Sequence, residues 1–259
     1  MLTNEWLNSC LSLINEPADL YVADRKILRS RTLRFTSKTS DISLSDIGYT
    51  KTKITMLKKL YFHEESYKKA TQMWDYFVER GKYASTSFHT YNHLVKPGAT
   101  SPREKVSTRG PCLQAVTITY LEKGNVEIDI FYRTTEIFKK FPADLVFIYE
   151  HLIPGFNFSR VRLNSVNCHF ANVTLHPMYF ITAAALSDSP IDFYKSLDPT
   201  QLFSKLVMKW VLKYFVDDTG ICKFKQATVT QDKAKSLLYP QETKKLIQLA
   251  KDFLDEFPK

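Results

Sequence analysis

A mixed α+β fold in a single domain over residues 1–259 is what the sequence predicts, and three observations carry it. Two alternating apolar runs meet at Lys123-Gly124-Asn125, the pattern of a β-hairpin. Apolar residues at helical spacing mark the N-terminus, the segment from Lys58 to Arg80 and most of the last third of the chain. Hydrophobic residues make up 44% of the 259 and aromatics 14%, enough for a large packed core and too many for a disordered chain.

In chain order, residues 1–16 read as a short amphipathic helix, with Leu2, Trp6, Leu7, Cys10, Leu11 and Ile14 on one face. Residues 24–53, rich in Ser, Thr, Lys and Arg, read as short strands or loops. Lys58 to Arg80 reads as a helix closed by Gly81. Ala84 to Tyr91 alternates as a strand does, and Lys96 to Gly110, with two prolines and two glycines, reads as an exposed loop. The hairpin follows: Val116, Ile118 and Tyr120, the turn, then Val126, Ile128, Ile130 and Tyr132. A helix should begin at Pro142, a favoured first-turn position, and stop at Pro154-Gly155. Val161 to Ala171 reads as another strand. Asn172 or Thr174 is then expected to cap a helix that has Pro177 in its first turn and runs through Ala185. Residues 191–259 read as helical apart from a turn at 217–220.

The composition narrows function. Seven glycines leave no Gly-rich phosphate cradle of either common spacing. The formal charge of +9 suits polyanionic partners, or equally a surface of solvated lysines. Cys10, Cys112, Cys168 and Cys222 are scattered, with neither a disulfide framework nor a zinc-ribbon spacing. Cys168, His169 and His176 are a weak metal set lacking a ligand motif, so no metal is expected. The first residues carry Glu5 and no basic run, and no apolar stretch reaches membrane-span length, so a reducing cytoplasm and no membrane partner are expected.

Chemistry concentrates between Gly110 and Asp144. Cys112 lies between a basic loop and a strand, either as an exposed nucleophile or as a small buried apolar residue. Arg133, Thr134 and Glu136 follow the hairpin, then Phe138, Pro142 and Asp144. Read singly, Arg133 is a solvated strand end, Thr134 a helix cap, and Glu136 and Asp144 first-turn carboxylates.

Taken in order, Pro111-Cys112, Arg133-Thr134-x-Glu136, Phe138 and Pro142 resemble the thymidylate synthase and deoxycytidylate (dCMP) hydroxymethylase family over about residues 108–172. The resemblance implies a thymidylate synthase-like mixed sheet packed against helices, with a helical C-terminal extension. It implies a pyrimidine C5 one-carbon transferase, hydroxymethyl or methyl, in nucleotide biosynthesis or modification. Cys112 would add to C6 of the ring. Arg133 and Thr134 would bind nucleotide phosphate, the arginine also favouring the thiolate. Glu136 would orient 5,10-methylenetetrahydrofolate, Asp144 would read cytosine where an asparagine reads uracil, and His169 would reach the ribose. The implied partners are a pyrimidine nucleotide or nucleic acid and a second copy of the chain.

Departures from the family's pattern are as specific. Leu113 replaces a histidine and Ala171 a tyrosine. The Gly81–Ser87 segment holds no arginine where the family has a pair, the proton-moving glutamate has no clear counterpart, and a helical segment, Lys244–Phe257, stands in place of the folate-closing tail. The other reading is therefore a catalytically degenerate protein that binds nucleotide or nucleic acid, or one acting on polymeric DNA or RNA. Cys112, Arg133 and Asp144 are expected to converge on one concave pocket.

Overall fold

The computed structural model describes residues 1–42, 64–80, 84–89, 112–156, 158, 161–184, 186–187, 189–216 and 240–257. The expected loop at 96–110, the first turns of the 58–80 helix, its closing Gly81 and the turn at 217–220 lie outside these. Helix α1 (Leu2–Asn15) leads into β1 (Leu20–Val22) and β2 (Arg25–Phe35), then α2 (Glu64–Arg80) and β3 (Ala84–His89). The hairpin β4 (Leu113–Tyr120) and β5 (Asn125–Glu136) follows, then α3 (Phe141–Phe147) and β6 (Arg162–Leu175). Helices α4 (Pro177–Ala184), α5 (Pro190–Lys195), α6 (Leu202–Phe215) and α7 (Pro240–Glu256) complete the described chain.

The six strands form one sheet in the order β1-β2-β6-β5-β4-β3. Every neighbouring pair is antiparallel except β5 and β6. Parallel neighbours need a long crossover, and residues 137–161 supply it. Pro142 sits in the first turn of α3, which runs on through a π turn at Ile148–Leu152 and a 3-10 turn ending at Gly155. The fold is mixed α+β, as the patterning predicts.

One sheet face carries the core. Ile118, Ile128, Ile130 and Val166 are fully buried there. Tyr132, Phe141 and Phe170 form an aromatic triangle with ring centroids 5.9, 5.1 and 5.0 Å apart, joining α3 to β5 and β6. Helix α1 buries Leu2, Trp6, Leu7, Cys10, Leu13 and Ile14, and Trp6 Nε1 donates to the Ile137 carbonyl at 3.0 Å. Lys26, fully buried, closes the C-terminal end of α1 by donating to the carbonyls of Ile14 and Glu16, which answers the unsatisfied acceptors of the last turn. Helices α6 and α7 pack together, burying Val207, Val211, Leu246 and Ala250. No helix among the described residues is long and apolar enough to cross a membrane.

The sheet is kinked at one level across three strands. In β2 the buried residues are Lys26 and Leu28, then Leu33 and Phe35; in β6, after Ser165 near its start, they are Val166, Cys168 and Phe170, then Val173 and Leu175. In β5 they are Val126, Ile128, Ile130 and Tyr132, then Thr135. The alternation changes parity at Ser30, Ala171 and Arg133, which the flanking register pairs place side by side. Ser30 has φ 52°, the left-handed backbone that lets a strand reverse its side-chain alternation. Because all three strands break together, the pairing keeps its register.

The kink corrects two sequence expectations. Asn172 and Thr174 are not helix caps: β6 continues through both, and α4 starts only at Pro177. Thr134 and Glu136 belong to the end of β5 rather than to a helix start.

Candidate functional site

Past the kink, alternate residues of three adjacent strands share the face turned away from the core. Ile27, Thr174 and Glu136 stand side by side at one level, and Arg29, Asn172 and Thr134 at the next. Two adjoining clefts are built on them, and both are lined by Thr134 and Thr174.

The first cleft, of about 370 Å³, brings together Cys112, Thr134 and Glu136 from the sequence-predicted set. Cys112 immediately precedes β4, and its carbonyl accepts from the Arg133 N–H at 2.8 Å, which pins it to the end of β5. Its thiol is half-buried. Burial pushes its pKa above the ordinary value and Asp144 pushes the same way, while Lys140 and Arg133 pull it down. The arginine thus acts in the direction the sequence implies, but it is outweighed, and the resting group is a thiol rather than a thiolate.

Glu136, half-buried, lines the same cleft. Its carboxyl accepts from the Lys139 N–H at 2.5 Å and the His176 N–H at 3.3 Å, and its charge reaches the fully buried thiol of Cys10. Burial outweighs these two bonds and raises its pKa to about 8. A carboxyl in that range gives up or takes a proton near neutral pH.

Among the other lining residues, Arg25, Lys139, Lys140 and Tyr179 were not legible in the sequence as site residues, and His176 entered only as part of a weak metal set. Lys139 Nζ donates to Tyr179 Oη at 3.1 Å and sits 4.5 Å from the centre of that ring. His176 Nδ1 accepts from the Met178 N–H at 3.2 Å, so the neutral ring carries its proton on Nε2. Burial, then Arg25, lower its pKa and keep it neutral.

Three expected residues stand outside this cleft. Arg133, exposed, lines the second one, of about 440 Å³, with Arg29, Asn172 and Thr134. Asp144 is 2% exposed and lies in α3 on the core side, close enough to raise the pKa of both Cys112 and Cys168. His169 lies across the kink: its Nε2 is 2.8 Å from Asp129 Oδ1, its Nδ1 is 3.0 Å from Thr32 Oγ1, and its ring stacks on Phe131 at 4.9 Å. Cys112, Arg133 and Asp144 therefore surround one end of β5 without lining a common cavity. Cys168 is buried in the core and its neighbour His169 faces the other way. Among the described residues, no group of three or more His, Cys, Asp or Glu side chains is placed to hold a metal ion.

No protein-family model matches the chain. No curated protein matches it either. Among solved structures it is similar to thymidylate synthase from T4 phage, with a TM-score of 0.42 and 9% sequence identity over 66% of this chain and 76% of that one.

Proposed function

We propose that the Cys112 cleft is a pyrimidine C5 site and that the chain is a one-carbon transferase acting on a cytosine or uracil nucleotide. One observation carries the reading: Cys112, Thr134 and Glu136, recognised in the sequence by their order, line one cleft at the end of β5, beside Arg133. In this reading the Cys112 proton passes to the Glu136 carboxylate and Sγ bonds to C6. The C5–C6 electron pair then moves toward C5, which becomes the nucleophile. That pair makes the new bond from C5 to the one-carbon unit; loss of the C5 proton then leaves the C–H pair to restore the C5–C6 double bond as the Sγ–C6 bond breaks and its pair returns to sulfur. Glu136 serves as proton carrier because its pKa of about 8 matches the task. That role replaces the proton-moving glutamate whose counterpart is missing from the sequence. His176, with its proton on Nε2, is a hydrogen-bond donor to a ring carbonyl or imine nitrogen.

Thr134 and Arg133 hold the phosphate. His169, held by Asp129 and Thr32, reaches the sugar only if the nucleotide extends across the kink. Asp144, buried on the core side and not among the lining residues, leaves the choice between cytosine and uracil to other groups of the cleft. From its place on the core side its charge raises the pKa of Cys112. When bound, 5,10-methylenetetrahydrofolate supplies a one-carbon unit at the formaldehyde level. Its ring nitrogens find in Glu136 a carboxyl with acceptor capacity left beyond its two backbone bonds. A second copy of the chain is part of the same reading, since the resemblance implies a homodimer.

A second reading, nucleotide or nucleic-acid binding without turnover, is favoured by the resting state of Cys112, a thiol pushed away from ionisation. Tritium release from C5-labelled dCMP, CMP and dUMP separates the two. Turnover predicts release with at least one substrate and none with Cys112→Ser. Equal background release from both proteins leaves only the binding reading.

A further inference from the structure

The second cleft adjoins the Cys112 site: Arg133, proposed above to hold the nucleotide phosphate, lines it together with Arg29, which has no task in the chemistry at Cys112. The floor of this cleft is Asn172 and Thr174 of β6 and Thr134 of β5, and Ile27 and Leu20 close one side. Arg29 comes from β2 and Arg133 from β5, the strands on either side of β6, so two guanidinium groups flank a floor of hydroxyl and amide groups. That set recognises phosphate: forked cations for its charge and neutral donors for its oxygens. Among the described residues no carboxylate lines this cleft.

The cleft is continuous with the Cys112 site. Thr134 and Thr174 belong to both, and Arg25, two alternate positions before Arg29 on the same face of β2, lines the first. At the strand rise of about 3.4 Å per residue, the backbones of Arg25 and Arg29 stand roughly 14 Å apart, and the two side chains line different clefts. With the lysines at 139 and 140, the cations form a lane along the ends of β2, β6 and β5 rather than a single-phosphate pocket. Among the described residues the only acidic one lining either cleft is Glu136, whose pKa of about 8 leaves it largely uncharged at neutral pH. A lane of this kind fits a chain of phosphates, and the overall charge of +9 acts in the same direction.

We propose that the cleft flanked by Arg29 and Arg133 binds the phosphodiester next to a base seated at Cys112, so that the ligand of this chain is a single-stranded polynucleotide. The inference rests on reading the Cys112 cleft as a pyrimidine site, but its test is binding and needs no turnover.

The experiment uses the full chain carrying Cys112→Ser, alone and with Arg29→Ala or Arg29→Lys added. Affinities for dCMP, dCTP, tetrahydrofolate and an eight-residue deoxycytidine oligomer are measured across a salt series, with thermal melts to check folding. The oligomer is expected to bind at least tenfold more tightly than dCMP. Arg29→Ala should weaken the oligomer about tenfold and leave dCMP unchanged, and loss of one phosphate contact should reduce the salt slope by about 0.7. Arg29→Lys should recover part of the loss. Equal affinity for dCMP and the oligomer overturns the proposal. So does an Arg29→Ala loss as large for dCTP as for the oligomer, which marks a polyphosphate site. A loss confined to tetrahydrofolate makes the cleft a folate site and overturns it as well. Oligomer binding together with no tritium release leaves this inference standing and removes the transferase reading.

Discussion

At the scale of single residues, the site is governed by burial working against charge. Glu136 shows this best: the backbone N–H groups of Lys139, His176 and Phe138 and the Lys139 charge favour its ionised form, yet desolvation wins and lifts its pKa from 4.5 to about 8. The folded state therefore holds this proton more tightly than the unfolded chain does. Stability from this group is fully present below about pH 4.5 and is lost as pH rises toward 8. Glu136→Gln, which cannot ionise, should remove that slope. Melting temperatures of both proteins from pH 4.5 to 8.5 are expected to diverge steadily in favour of the variant as pH rises; a constant difference contradicts a protonated Glu136. The sequence could point to Cys112 and Glu136 because their order along the chain is chemistry that can be read. It could not point to Arg25 or Tyr179, or to His176 as part of this site, since these reach the cleft only because β2 and the start of α4 close around the end of β5.

At the scale of elements, the kink decides what the site can be. Sequence alternation located β4 and most of β5, and helical spacing located α1 and α3. The reading failed where alternation itself reversed. A strand whose buried residues move from Phe170 to Val173 looks, in sequence, like a strand that ends at Ala171, so Asn172 and Thr174 were expected to be caps. The reversal is a backbone event at Ser30, Ala171 and Arg133, and only Ser30 carries its mark, a φ of 52°. A residue with a Cβ in that conformation costs about 1–2 kcal/mol, and glycine removes most of it. Urea unfolding should show Ser30→Gly more stable by up to about 1 kcal/mol, and Ser30→Val, β-branched, less stable by at least as much. Equal stability of all three proteins would remove the kink as a strained feature of β2. The same reversal turns Arg29, Asn172 and Thr134 outward at one level, so the second cleft depends on it.

At the scale of the whole molecule, one layer of helices covers one face of a six-stranded sheet, and the chemistry collects where that layer ends. The α+β class was legible because hairpin and helix periodicities are local signals. The strand order was not, because it depends on the crossover that lays β6 parallel to β5 and brings β2 alongside it. That crossover places Arg29 of the first third of the chain across β6 from Arg133 of the middle. The central claim is that this junction presents Cys112 to C6 of a pyrimidine. It is tested most directly by intact-mass analysis of the protein incubated with 5-fluorinated dCMP and dUMP and the one-carbon donor, since a fluorine at C5 blocks the final proton loss. The account predicts a mass increase of one nucleotide plus donor, mapped to the peptide containing Cys112 and absent from Cys112→Ser. An unmodified protein with both nucleotides, at concentrations where binding is measured to be complete, would contradict it.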